Sequence, residues 1–205
     1  MTTAVQEKRE MTVEEYLKME RNGLREKIGK HEFFNHKLIF MPGASNNHNI
    51  ITKNVSYTLE HQVRQNRTHH LVYAQDMRTI SHMPNKNYFY PDVEIVEGRA
   101  NFDDEHKDIL VNPCLIIEVL SDSTEKFDRG DKFKSYRNIN TFTEYILISQ
   151  DGKNIEQFYK NENGKWEIGE VVSEGVLKLK TVPFELSTDE VYFNVEFLPP
   201  SVSTP

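Results

Sequence analysis

The chain has 205 residues, with 25 Lys and Arg against 32 Asp and Glu, and one cysteine. A single domain of this length buries roughly 70% of its unfolded surface, so it needs neither the disulfide nor the zinc staple that one cysteine could not provide. The net charge of −7 argues against a protein that attracts nucleic acid with its whole surface.

No apolar run reaches the ~20 residues that span a bilayer, and the opening Met1-Thr2-Thr3-Ala4 lacks the apolar core of a secretion signal. Cys114 lies in an apolar stretch and reads as a small buried residue. A cytoplasmic protein without membrane contact is expected.

In chain order, Thr12-x-x-Glu15 is a capping box that opens a short helix to Arg21, with Val13, Tyr16 and Leu17 on one face. Residues 31–41 read as a hairpin turning at Asn35-His36. From Asn47 to Arg67 the apolar residues Ile51, Val55, Leu59 and Val63 step by four, which predicts a long helix. Leu71–Ile80 and Tyr88–Val96 read as two strands, the second interrupted by Pro91, which marks an edge or a bulge. Pro113–Ser121 is nearly all apolar, as in a strand covered on both faces. An amphipathic helix over Asp128–Asn140 follows, with Phe133, Tyr136 and Ile139 at helical spacing. Glu144–Ser149, Asn154–Lys160, Trp166–Ser173 and Val176–Val182 give further strands, and Ser187-x-x-Glu190 caps a last short helix. The reading is one domain over 1–198 and a Pro/Ser-rich, disordered tail over 199–205.

Two acids stand where acids are costly. Asp92 follows Pro91 within a strand, and Glu118 interrupts the most apolar run of the chain. If their strands are neighbours, the two carboxylates meet at one end of the sheet, and a divalent metal would relieve their repulsion. Hard oxygen ligands favour Mg²⁺ or Mn²⁺. Lys132, on the next helix, could then hold a water or offset charge on a phosphodiester. The same residues are equally consistent with a buried salt bridge from Glu118 to Lys132 or Arg129 and no chemistry.

The run Tyr90-Pro91-Asp92-Val93, then Ile117-Glu118-Val119-Leu120-Ser121-Asp122-Ser123-Thr124, then Asp128-x-x-x-Lys132-x-x-x-Tyr136, then Thr143-Glu144-Tyr145-Ile146, resembles the Uma-two family of bacterial endonucleases. The likeness runs from about Met11 to Phe197. It implies an α/β fold, an α+β arrangement with a mixed sheet. Its restriction-endonuclease-like αβββαβ core carries an N-terminal helix, a β-hairpin and a β-rich C-terminal extension. It further implies Asp92 and Glu118 as metal ligands, and Glu32 as an additional acid near the metal. The superfamily's usual lysine, two positions after the acid, is replaced here by Leu120, and the family's helix lysine maps onto Lys132. The Asp-Gly usual at the hairpin turn is Asn35-His36 here.

Other residues keep two readings. His48 could face the cleft, or cap its helix or lie on the surface. Tyr136 could line the cleft or pack in the core. Arg129 could contact phosphate or pair with Asp92.

The expected function is a Mg²⁺- or Mn²⁺-dependent endonuclease acting on DNA. The rival is a catalytically silent binding or assembly module that uses the basic stretch 125–137. Contact with DNA is expected to be weak, nonspecific and steeply salt-dependent, because that stretch is short and set in an acidic molecule. The apolar end, Trp166–Phe197, could supply a homodimer face.

Overall fold

In the computed structural model, residues 10–22, 29–82 and 84–197 are described. Helix α1 (Val13–Arg21) begins with the capping box read from the sequence. The Thr12 hydroxyl accepts from the Glu15 N–H, and the Glu15 carboxylate accepts from the Thr12 N–H. Strands β1 (His31–Phe34) and β2 (Lys37–Phe40) form the hairpin. Asn35 and His36 both adopt positive φ, 48° and 62°. That is the backbone a tight two-residue hairpin requires, reached here without glycine. Helix α2 (Asn46–Asn66) is capped by Ser45, whose hydroxyl accepts from the His48 N–H. Its Ile51, Val55 and Leu59 are fully buried and Val63 nearly so, as the four-residue spacing predicts.

The two strands read over 71–80 and 88–96 are each two strands. β3 (His70–Ala74) and β4 (Arg78–Ser81) are separated by Gln75, which takes φ 62°. β5 (Asn87–Phe89) and β6 (Val93–Glu97) are separated by Tyr90-Pro91-Asp92. β3 pairs with β6, and β4 pairs with β5. One bent antiparallel ribbon therefore belongs to two sheets. Pro91 sits in the break between the two, at the crossing, and both β5 and β6 lie inside their sheets rather than at an edge.

The chain continues through β7 (Ile109–Leu110), which the sequence reading did not contain, and β8 (Leu115–Leu120). Helix α3 follows as three consecutive segments, Glu125–Phe127, Asp128–Lys132 and Phe133–Tyr136, the middle one π-helical. Then come β9 (Glu144–Ser149), β10 (Ile155–Lys160), β11 (Trp166–Val172), β12 (Val176–Lys178), β13 (Glu185–Ser187) and α4 (Thr188–Val191). Ser187 caps α4 by accepting from the Asp189 N–H.

The smaller sheet has the order β2-β1-β5-β4-β7 and the larger β11-β10-β9-β8-β6-β3. The larger sheet is mixed, with β8 parallel to β9 and antiparallel to β6. Taken as α2, β3, β6, β8, α3, β9, it contains the expected αβββαβ succession. Its faces are easily told apart. Leu115, Ile117 and Val119 share a core with Ile51, Val55 and Leu59 of α2. Ile116 and Leu120 share another with Tyr136, Ile139 and Phe142 beside α3. Burying both faces explains why β8 reads as a run that is apolar apart from Glu118.

Cys114 is buried, its thiol near the Ile95 carbonyl at 3.3 Å, and burial pushes its pKa up to about 12. Among the described residues, no helix is long and apolar enough to cross a membrane. The tail over 199–205 lies outside the described residues.

Candidate functional site

The register of the larger sheet brings the two suspect acids together. β6 and β8 pair with Val93 opposite Ile117 and Glu94 opposite Ile116. One further step along this antiparallel ladder sets Asp92 opposite Glu118, and opposite residues of such a pair share a sheet face. The side chains interlock with the backbone. The Val119 N–H donates to Asp92 Oδ2 at 2.8 Å, and the Asp92 N–H approaches Glu118 Oε2 at 3.4 Å. Asp92 Oδ1 has no hydrogen-bond partner among the described residues. Glu118 is 3% exposed, on the face covered by α3.

Helix α3 delivers the lysine. The Lys132 ammonium lies 2.9 Å from Glu118 Oε1, 2.9 Å from Glu32 Oε1 and 3.3 Å from Asp128 Oδ1. The Tyr136 hydroxyl, one turn on, also donates to Glu118 Oε1, at 2.9 Å. The π-helical turn from Asp128 to Lys132 widens the helix where these groups converge, a distortion often found at functional sites. β1 supplies Glu32, whose Oε1 accepts from the Tyr90 N–H at 3.0 Å. The glycine-free hairpin turn thus leaves Glu32 within the cluster. The first turn of α2 supplies His48, with Nε2 3.2 Å from Asp92 Oδ2. Of its two readings, the cleft-facing one holds.

Charge balance is the dominant property of this site. One ammonium faces the carboxylates of Glu32, Glu118 and Asp128, with Asp92 adjoining. Burial drives the Glu118 pKa well above the ordinary value, and its neighbours Asp128, Asp92 and Glu32 drive it further against the pull of Lys132. Burial likewise raises Glu32. Burial opposes the charge on Lys132, but Glu118, Glu32 and Asp128 outweigh it and hold that pKa well above a normal lysine. For His48 too, burial works against the charged ring and the bond to Asp92 prevails, raising its pKa. Tyr136 is raised by burial and by Glu118, which keeps it a neutral donor. The cluster is an ammonium enclosed by an excess of carboxylate, an arrangement that a cation would relieve.

Among the described residues, no group of three or more His, Cys, Asp or Glu side chains is placed to enclose a metal ion. The hard donors are two adjoining carboxylates, one with an uncommitted oxygen. Mg²⁺ is commonly held by one or two carboxylates, with water and substrate phosphate completing its shell, so these residues fit it.

Asp92, Glu118, Lys132, Glu32, His48 and Tyr136 therefore converge. Arg129 does not. Its guanidinium makes a two-pronged pair with Glu156 and a third bond to Glu125, all at 2.7 Å, so it reaches neither Asp92 nor the cleft. The basic stretch 125–137 is dispersed in the same way: Lys132 is buried, Arg129 is paired, and Lys126, Lys134 and Arg137 lie outside the cleft. Asp128 is the member that sequence reading passed over. Its signal was the four-residue spacing to Lys132 on one helix face.

The cluster opens into a cleft of about 660 Å³, lined among others by Ile39–Ala44 and Ser121–Thr124. Residues 13–195 match the Uma2 family, described as a putative restriction endonuclease. The chain belongs to the Uma2 family. Two uncharacterised proteins of Synechocystis sp. are similar to it. One is 34% identical over 164 residues, 80% of this chain and 89% of the relative. The other is 30% identical over 187 residues, 91% and 94% of the two chains. The fold is similar to the crystal structure of a putative nuclease from Anabaena variabilis, with a TM-score of 0.63 and 16% identity, covering 79% of this chain and 89% of that one. This Uma2 chain has the restriction-endonuclease-like fold.

Proposed function

We propose that this Uma2 protein is a Mg²⁺- or Mn²⁺-dependent endonuclease that hydrolyses phosphodiester bonds in DNA, with Asp92 and Glu118 holding the metal. The observation that carries the reading is the cross-strand meeting of Asp92 with Glu118 beside a single, over-subscribed ammonium. A bound divalent ion would supply Lewis-acid polarisation of the phosphate and a more acidic water.

The protein's own groups divide the remaining work. Lys132 has three N–H donors, and three carboxylates stand around them. It serves best as a fixed positive charge that offsets charge building on the phosphate and orients Glu118, rather than as the holder of the attacking water. Tyr136 fixes the second lone-pair direction of Glu118 Oε1. His48 holds Asp92 Oδ2 from the open side, which leaves Oδ1 for the cleft. Glu32 sets Lys132 from the hairpin side.

The reading is tested by nicking of supercoiled plasmid in Mn²⁺. The parent protein should nick, and Asp92→Asn and Glu118→Gln should each lose roughly 100-fold or more in rate. Nicking unchanged in both variants would end the proposal.

A further inference from the structure

The charge of the cleft conflicts with the way nucleases ordinarily grip duplex DNA. Its lining carries Glu32, Asp76, Asp92, Glu118, Asp122 and Asp128 against Lys30, Lys132 and His48, the last engaged by Asp92. Lys132 is enclosed by carboxylates, and Lys30 lies 3.2 Å from Asp76 Oδ1 and donates to the Gln75 carbonyl. A duplex held through its phosphates draws on several cationic contacts, which this lining does not offer.

The cleft instead offers an aromatic face. Phe40, at the end of β2, lines the cleft yet is 58% exposed. Its ring is held from behind. Gly29 has φ +86°, and a Cβ there would come within 2.8 Å of the Phe40 ring, so the glycine permits the close seat. The His31 ring packs at 5.4 Å between centroids, at a tilt of 58°. Ile39, Met41 and Pro42 continue this wall, and Phe127 stands among the lining residues with the hydroxyls of Ser121, Ser123 and Thr124. The volume of about 660 Å³ matches a small-ligand site rather than a duplex channel.

Resting on the endonuclease reading above, we infer that the substrate is single-stranded or locally unpaired nucleic acid, one base of which stacks on Phe40. An unpaired base presents a π-face to an aromatic ring, and such stacking is tolerant of sequence. Phe40 and the acids Asp92 and Glu118 line the same cleft, and a duplex, whose bases stack on one another, has no free base face to offer Phe40. On this view the salt dependence expected from the basic stretch 125–137 is replaced by a shallow one.

The test is fluorescence anisotropy with labelled 12-residue oligonucleotides, as single-stranded DNA, single-stranded RNA and duplex DNA, in metal-free buffer at low and high salt. A second readout is the quenching of 2-aminopurine placed within the single strand. Single strands should bind at least about 10-fold more tightly than the duplex, with a shallow salt slope because few free cations meet the phosphates. Phe40→Leu, which keeps an apolar side chain against Gly29, should weaken binding by roughly 10-fold and abolish the quenching, and Phe40→Trp should restore both. Whichever of DNA and RNA binds better identifies the source of the strand. Duplex binding equal to or tighter than single-strand binding, no binding of any strand, or indifference to Phe40→Leu would overturn the inference. Cleavage of duplex with Phe40 irrelevant would leave the nuclease reading intact. Stacking on Phe40 without cleavage in Mn²⁺ would leave the strand-binding inference and end the nuclease reading.

Discussion

Lys132 Nζ stands 2.9 Å from Glu118 Oε1, and both side chains are almost completely shielded from solvent. The pair is a lysine and an acid that the chain separates by a loop and two helical turns. In a restriction-endonuclease-like site the lysine usually follows the acid on the same strand, where this chain has Leu120. Leu120 is buried in the core beside Phe142 and Tyr136, so that position is closed to a charged group, and the ammonium arrives from α3 instead.

The first prediction separates the roles of the two residues. Glu118→Gln removes a ligand oxygen and negative charge, so both Mn²⁺ affinity and hydrolysis should fall. Lys132→Ala removes a charge that repels the cation, so affinity should hold or rise while hydrolysis is lost. The same change strips a buried counter-charge from three carboxylates and should cost about 3–5 kcal/mol of stability in metal-free buffer. Mn²⁺ should restore part of that loss. Calorimetric titration and thermal melts with and without Mn²⁺ measure these effects; parent-like cleavage by Lys132→Ala would remove the lysine from the site.

A second prediction concerns pH. Glu94 lies in β6, 1% exposed, with one oxygen accepting from the Thr79 hydroxyl and the other without a partner among the described residues. Burial pushes its pKa up to about 8 from an ordinary 4.5. The fold therefore favours the protonated acid. Its contribution is complete below about pH 4.5 and is lost as pH rises towards 8. Glu94→Gln keeps a neutral group of the same shape. Melts in EDTA should show the parent losing on the order of a few kcal/mol across pH 5–8, with the variant spared most of that loss. Identical pH profiles would show that Glu94 is not the buried acid described.

A third prediction follows from Cys114. With its thiol shielded and its pKa near 12, it should resist a thiol reagent at pH 8 in the folded protein. In denaturant it should react at an ordinary rate. Rapid labelling of the native protein would place Cys114 on an accessible surface.

Much of this arrangement was legible in the residues themselves. The capping box at Thr12, the spacing of Ile51 to Val63 and the apolar run of β8 are local signals, and each produced its element. Glu118 was conspicuous because burying an acid without reason is costly; that its strand neighbours the one after Asp92 was only a condition in the sequence, and the β6–β8 register supplies it. What stayed hidden was long-range. Leu71–Ile80 alternates as one strand, and nothing in its apolar pattern shows that Gln75 turns left-handed and sends Arg78–Ser81 into another sheet. The two-residue strand β7 is too short to leave a periodic trace. Arg129 was a plausible phosphate ligand by charge alone. Glu156, distant in sequence, takes it away, and pairing of that kind is decided by β10 docking beside α3 rather than by spacing. Phe40 gave no signal either, since an aromatic at a strand end reads as core until its exposure is known.

The most direct test of the account is anomalous diffraction from crystals soaked in Mn²⁺. The account predicts one strong anomalous peak between the carboxylates of Asp92 and Glu118, within about 2.1–2.3 Å of an oxygen from each and lost in Glu118→Gln. A peak away from both residues, or none at saturating Mn²⁺ with the Lys132–Glu118 contact unchanged, would contradict it.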